Sequence, residues 1–303
     1  MRRRVGVALL LCVALVAAAA DLIASDLPLF CVVDGHPYVL PCLTTPGALR
    51  GLDQQALSAR ATSFVGTPIA YGPYAQRPAG TLAPLAAPSR SHLLGTDDRG
   101  RDVAARLVHG ARVACVVGPL AVALYLAFGA LVGVACALRP RIDLVLSRLV
   151  EAALSIPALL LVLAVQGLRG GGSALQLALV VALAEWPAVA RLTRAEALRV
   201  VASPHVLAAR GLGASSVRIA WHHVLPLALG PARVLAAFGL GQAVLLEAAL
   251  GVLGFGVSPP TASWGELLAQ ASQHARWWLL LPPSLAIGVV VLGARLLVDD
   301  DAS

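Results

Sequence analysis

Lysine is absent from this chain, in which all 23 basic residues are arginine. A G-x-x-x-x-G-K-[ST] phosphate loop is therefore impossible, and the chain supplies no conventional Walker ATP site of its own. Charge of either sign is scarce. Charged residues make up 13% and hydrophobic residues 58%, against about 25% and 45–50% in soluble globular domains. That composition belongs to a polytopic membrane protein. The net charge of +7 raises nucleic acid as a partner, but many of the arginines flank apolar stretches, where membrane topology accounts for them without a ligand. No nucleic-acid partner is expected. Zinc-enzyme patterns are missing too: there is no H-E-x-x-H, and the adjacent His222 and His223 point about 100° apart on a helix. None of the seven histidines lies in an apolar run where it could serve as base to Ser173. The expectation is a chain without catalytic residues, metal or cofactor.

Six apolar runs approach the ~20 residues of a bilayer crossing, at 5–24, 113–138, 149–168, 174–190, 234–252 and 278–298. Arg2, Arg3 and Arg4 precede the first. Arg139, Arg141 and Arg148 separate the second from the third, and Arg191, Arg194, Arg199, Arg210 and Arg218 separate the fourth from the fifth. All three clusters fall on one side, which the positive-inside rule makes the cytoplasm, together with both termini. The first run, with Ala17 to Ala20 at its end, also fits a cleavable signal peptide, and either way the next segment is exported. The organisation read from this pattern is a first transmembrane helix at 1–24 and a Pro-rich external loop at 25–112. A five-helix membrane core follows at 113–298, with a cytoplasmic loop at 191–226, and an acidic cytoplasmic tail at 299–303. The fold class is all-α, a multi-pass membrane protein of about six helices in contact with lipid.

The stretch 25–92 carries nine of the twenty prolines and no long apolar run, as an irregular external subdomain would. Within it Cys31 and Cys42 bracket VVDGHPYVLP, whose Asp34-Gly35 turn signal between β-prone runs predicts a hairpin. In an exported segment these two thiols are expected to form a disulfide. Ionisable groups inside spans are costly, so Glu185 and Glu247 should face the bundle interior, a pathway or an interface. A helix–helix hydrogen bond and a pathway role both fit Glu247. Glu151 is expected to pair with Arg148, and Pro157 and Pro187 to interrupt or kink their spans.

Residues 207–226, LAARGLGASSVRIAWHHVLP, read as a short helix, a turn at Gly213 and a second helix capped by Ser215-Ser216 that runs towards Leu225-Pro226. A helix–turn–helix at a membrane surface is a docking shape. These residues resemble the cytoplasmic signature of permease subunits of binding-protein-dependent ABC importers, which is E-A-A, three residues, G, and a later L-P. Ala208, Ala209, Gly213, Leu225 and Pro226 match, Arg210 lies among them, and Leu207 stands where that family usually has Glu. Upstream of the second run, LGTDDRGRDV at 94–103 has the wrong spacing for a calcium loop, and Arg99 and Arg101 would oppose a cation. It is similar to the G-T-D-x-x-G-R-D of C-type permeases of the peptide, dipeptide and nickel subfamily, through Gly95, Thr96, Asp97, Gly100, Arg101 and Asp102. Ser155-Ile156-Pro157, Trp186-Pro187, Glu247-Ala248, Gly254-Phe255-Gly256 and Ser263-Trp264-Gly265 also look like that subfamily, so the resemblance covers roughly 92–298.

The resemblance implies one permease of a pair, partnered by a homologous second permease subunit, two ABC ATPase subunits and an external solute-binding protein. It implies import of peptides or similar small solutes by alternating access. An ion-gradient-driven secondary transporter is the competing class, and it ordinarily shows an internal repeat that is not evident here. Nickel is the competing solute.

Overall fold

The computed structural model describes residues 2–74 and 84–298, which divide into two compact units. The expected acidic tail, Asp299 to Asp301, lies outside the described residues. In chain order the first elements are α1 (Arg2–Ala18), α2 (Ala20–Ile23), β1 (Phe30–Val33), β2 (His36–Val39), α3 (Pro41–Thr44), α4 (Gln54–Arg60) and β3 (Ser63–Val65). There follow α5 (Val103–Leu138), α6 (Pro140–Leu154), α7 (Ala158–Arg169), α8 (Ala174–Val201), α9 (Pro204–Gly211), α10 (Ser216–Arg218), α11 (Leu225–Val252), α12 (Trp264–His274) and α13 (Trp277–Leu296).

Helices dominate, as the composition requires. Val103–Leu138, Ala174–Val201, Ser216–Val252 and Trp277–Leu296 are long and apolar enough to cross a membrane, and α6 with α7 make a fifth candidate if that pair, bent by 80°, is one span. Among the described residues the count is therefore four or five rather than six. The first expected span is not in that set, because α1 ends after 17 residues. Its length of about 25 Å falls short of a hydrocarbon core of about 30 Å. The third expected span is broken at Ser155, Ile156 and Pro157: proline cannot donate to the helical ladder and disfavours helical backbone in the residue before it.

One unit contains residues 8–115 and 247–290. Its Pro-rich part folds around an antiparallel sheet of order β2-β1-β3. Asp34 and Gly35 both take positive φ, 52° and 80°, as a two-residue hairpin turn demands. The sheet packs on a cluster of Leu27, Cys31, Val33, Cys42, Leu49 and Leu57. The expected disulfide is not formed, since Cys31 and Cys42 are both free and both buried. The hairpin register sets Cys31 opposite Tyr38, and Cys42 falls beyond the strand on α3, so the turn does not bring the two thiols into register.

The other unit contains residues 116–246 and the two ends of the chain. Here α5 approaches α8 across Gly129 and Gly133, where an added Cβ would lie 2.7 Å from the Trp186 and Ala190 carbonyl oxygens. Small residues at that spacing let two membrane helices meet backbone to backbone. Pro187 is accommodated inside α8, which stays continuous.

Candidate functional site

The segment joining α8 to α11 is built as a closed turn. At the end of α9 the Ala214 N–H donates to the Ala209 carbonyl and the Gly213 N–H to the Arg210 carbonyl, both at 3.0 Å, which is the Schellman pattern that ends a helix on a left-handed residue. Gly213 is that residue, at φ +83°, with nothing within 4 Å of a built Cβ. The requirement for glycine is conformational rather than steric. Ser215 then caps the next helix, its Oγ accepting from the Arg218 N–H at 3.3 Å.

The expected second helix, running from Ser215-Ser216 towards Leu225-Pro226, is not a separate short element. From Ser216 the chain passes through a π-turn, Ile219–Val224, directly into α11, giving one helical run to Val252. Pro226 has no N–H for an i−4 carbonyl, and it stands where the π-turn has already interrupted the regular ladder.

Val206 anchors α9. It is wholly buried in a cluster with Val134 and Ala137 of α5, Ala197 and Val200 of α8, and Ile219, Val224 and Ala228. The opposite face is open: Leu207 is 52%, Trp221 55%, Val217 65% and Leu212 90% exposed, with Ala208, Arg210 and Arg218 exposed between them. An apolar face rimmed by arginine is the composition of a docking surface.

The 94–103 loop is the reverse, buried and paired. Asp97 Oδ1 accepts from the Arg99 and Arg101 N–H groups at 2.9 and 2.8 Å, while Oδ2 accepts from Arg101 Nε at 2.6 Å. Arg101 reaches Glu266 of α12 at 2.9 Å. Arg106, on α5, bonds the other Glu266 oxygen, donates to the Pro73 carbonyl at 2.9 Å and lies 3.6 Å from Asp97. Burial pulls the Arg101 guanidinium down, but Asp97 and Glu266 outweigh it and leave its pKa above the ordinary value. Gly95 and Gly100 sit at φ +69° and +73°, which lets the loop fold back so that Thr96 bridges Asp102.

Asp102 then begins α5. Its Oδ1 accepts from the Ala105 N–H at 2.7 Å, and its Oδ2 meets His92 Nδ1 at 2.7 Å. Burial pushes its carboxyl up, against the opposing hydrogen bonds from Ala105 and His92. The His92 ring stacks on Tyr71 at 4.4 Å, and Trp278 Nε1 donates to the Thr96 carbonyl at 3.3 Å. The loop is thus tied to α12, to the start of α13 and to the Pro-rich segment. In the same unit, Asp21, Asp26 and Asp53 line an open cavity of about 730 Å³. Each is engaged, by Arg112, the Gly72 N–H and the Ala56 N–H respectively.

The two intramembrane acids part company. Glu247 is 2% exposed, one of its carboxylate oxygens is buried with no hydrogen-bond partner among the described residues, and its carbonyl oxygen packs against Gly265 of α12, the helix capped by Ser263, whose Oγ accepts from the Glu266 N–H at 3.1 Å. Glu185 lies in α8 beside Tyr125 and Gln242. On α6, Glu151 meets Arg148 at 2.9 Å. Sequence reasoning missed Glu266, Arg106, His92 and Val206. Glu266 and Arg106 are ordinary polar residues that meet across 160 residues of chain, His92 meets Asp102 ten residues on but carries no pattern that marks it, and Val206 carries no signal beyond being apolar on a short helix.

Two comparisons bear on this arrangement. The model of a family described as binding-protein-dependent transport system inner membrane component matches residues 129–299. A putative peptide transport system permease protein of Brucella suis is 38% identical over 216 residues, covering 70% of this chain and 72% of its own. The dipeptide transport system permease protein DppC of Alkalihalophilus pseudofirmus is 37% identical over 219 residues, 71% of each chain. The di/tripeptide transport system permease protein DppC of Pseudomonas aeruginosa is 38% identical over 210 residues, 68% of this chain and 69% of its own. A multi-pass helical chain with this turn at Gly213 and this match over more than half its length belongs to the family of inner-membrane permease components of binding-protein-dependent ABC transport systems.

Proposed function

We propose that this permease is the conduit and lever of an ATP-driven peptide importer in the cytoplasmic membrane. The relatives named for peptide, dipeptide and di/tripeptide transport support peptide over nickel. The chain pairs with a homologous second permease, takes solute from an external binding protein and is driven by two ATPase subunits that carry the nucleotide sites. Both termini are cytoplasmic, with α1 and α2 together as a sixth crossing, since the Ala19 and Ile23 N–H groups donate to the Leu15 and Ala19 carbonyls and carry the helical bonding across their joint.

The observation that carries the reading is the Gly213 turn. It presents the exposed face of α9 while Val206 seats the same helix on α5, α8 and α11. A push on α9 therefore reaches three long helices at once. Alternating access follows if nucleotide binds one state of the assembly more tightly than the other, since a ligand shifts an equilibrium only by its differential affinity.

Gly213→Val tests the lever. A β-branched residue at this φ costs more than the roughly 1 kcal/mol expected for alanine, and it displaces α9 without touching a packed contact. Membrane levels should stay near normal while peptide uptake is lost and co-purification of the ATPase weakens. Full uptake with an intact complex would show that the segment is not the lever.

A further inference from the structure

Glu185 is the twelfth residue of α8, about 17 Å along a helix at 1.5 Å per residue and so near the middle of a ~30 Å hydrocarbon core. Its carboxyl has no hydrogen-bond or ion-pair partner among the described residues. An acid at that depth ordinarily faces the bundle interior and pairs with something. The other described acids of this unit, none of them at that depth, are all paired: Asp143 is held by Arg194 at 2.5 and 2.6 Å, Glu151 by Arg148, and Glu196 by Arg199.

What surrounds Glu185 is a cavity of about 20 Å³ lined by Tyr125, Val181, Leu235, Gly239 and Gln242. That volume holds one water-sized group. Tyr125 is buried and lines the same cavity as Glu185. Its hydroxyl rests where a side chain on Gly239 would begin, 1.7 Å from the built Cβ, so the phenol reaches this place only because residue 239 is glycine. Carboxylate, phenol and amide, three groups that can each accept a hydrogen bond, line a space of ammonium size. A primary ammonium has three N–H donors and no acceptor.

We propose that Glu185, Tyr125 and Gln242 form an intramembrane station for the primary ammonium group of the transported peptide. The proposal rests on the peptide-importer reading above and adds the residues that hold the solute during passage. The station takes the amino-terminal or lysyl ammonium of a peptide, and the apolar walls from Val181 and Leu235 keep competing water out while it is occupied.

The test uses the whole importer, both permeases with ATPases and binding protein, in proteoliposomes with tri-alanine as the probe, reading uptake and ATP hydrolysis together. Glu185→Gln keeps the shape and removes the charge, and a lost charge-assisted hydrogen bond should lower uptake by about tenfold or more. ATP hydrolysis stimulated by the loaded binding protein should remain within about twofold, because the lever is untouched. Glu185→Asp should keep most of the uptake that Glu185→Gln loses, and Gly239→Ala, which displaces the Tyr125 hydroxyl, should lower uptake without restoring it in combination with Glu185→Gln. Wild-type uptake in Glu185→Gln overturns the proposal. So does a parallel fall of uptake, ATP hydrolysis and subunit association in both Gln and Asp variants, which would mark Glu185 as a packing or subunit-interface residue. A wild-type importer that takes up no tri-alanine refutes the peptide reading itself, and the ammonium station with it, whereas failure confined to the variants' predicted pattern leaves that reading standing.

Discussion

The 94–103 loop and the α9 turn are both built on left-handed glycines, yet they end in opposite states. At the loop the buried charges are matched within the chain: two buried guanidiniums, Arg101 of the loop and Arg106 of α5, face Asp97 and Glu266, and only Arg99 is left exposed. In the turn the buried side is finished by Val206, and the other side is left open with Leu207, Leu212, Val217 and Trp221 exposed. A self-satisfied network is a fixed point, since any rearrangement would strand a buried charge. An unfinished apolar face is a place where something else completes the structure. On the lever reading proposed above, the contrast separates the part of the chain that holds shape from the part that receives force.

The sharpest way to break the contrast is to unpair the loop. Glu266→Ala removes the carboxylate that two buried guanidiniums share, and leaving such charges without a partner costs about 3–5 kcal/mol. Thermal unfolding of the detergent-solubilised protein should drop markedly, and membrane yield with it. Unchanged stability would mean that Asp97 alone neutralises both arginines.

Chemical modification should show the same difference between covered and open surface. Burial raises the thiol pKa of Cys31 and Cys42, so both are short of reactive thiolate at neutral pH as well as covered. A cysteine introduced as Leu212→Cys should react with a maleimide at least ~10-fold faster than either, and adding the ATPase should slow it. Unfolding without reductant should then expose Cys31 and Cys42 as two alkylated residues. Recovery of a linked pair would show that these two thiols oxidise after all.

The smallest effect belongs to Leu207→Glu. It exchanges one exposed side chain for another on α9, so stability should move by no more than about 0.5 kcal/mol. Uptake should be retained and ATPase association equal or tighter, by pull-down. Weaker association would mean that the partner surface is apolar at this point rather than basic.

How far these features can be read in advance depends on the range of the interaction. The Asp34-Gly35 turn, the Gly213 turn, the Ser215 cap and the break before Pro157 are decided by neighbours within a few residues, and local pattern reveals them. The continuity of α11 through Pro226 escaped because a proline next to a glycine-bounded helix reads as a stop, and the π-turn that absorbs it has no composition of its own. Glu266 lies 165 residues from Arg101, beyond any periodicity. Asp97 and Arg101 were visible as a motif, but the motif does not say that α12 supplies the missing charge. Glu185 and Glu247 looked alike in sequence, as lone acids in apolar runs. Only the fold distinguishes one packed against Gly265 of α12 from one that meets a small cavity.

The 80° bend between α6 and α7 sets a relation between this protein and the thickness of its bilayer. Two helices at nearly a right angle cannot both stand along the membrane normal, and the 12 residues of α7 rise only about 18 Å against a hydrocarbon depth of about 30 Å. The 15 residues of α6 add about 22 Å, and the bent pair reaches across a ~30 Å core when each arm leans about 40° from the normal. The depth this corner covers is then set by the angle of the bend, and acyl-chain length becomes a variable to which the transporter's rate should respond.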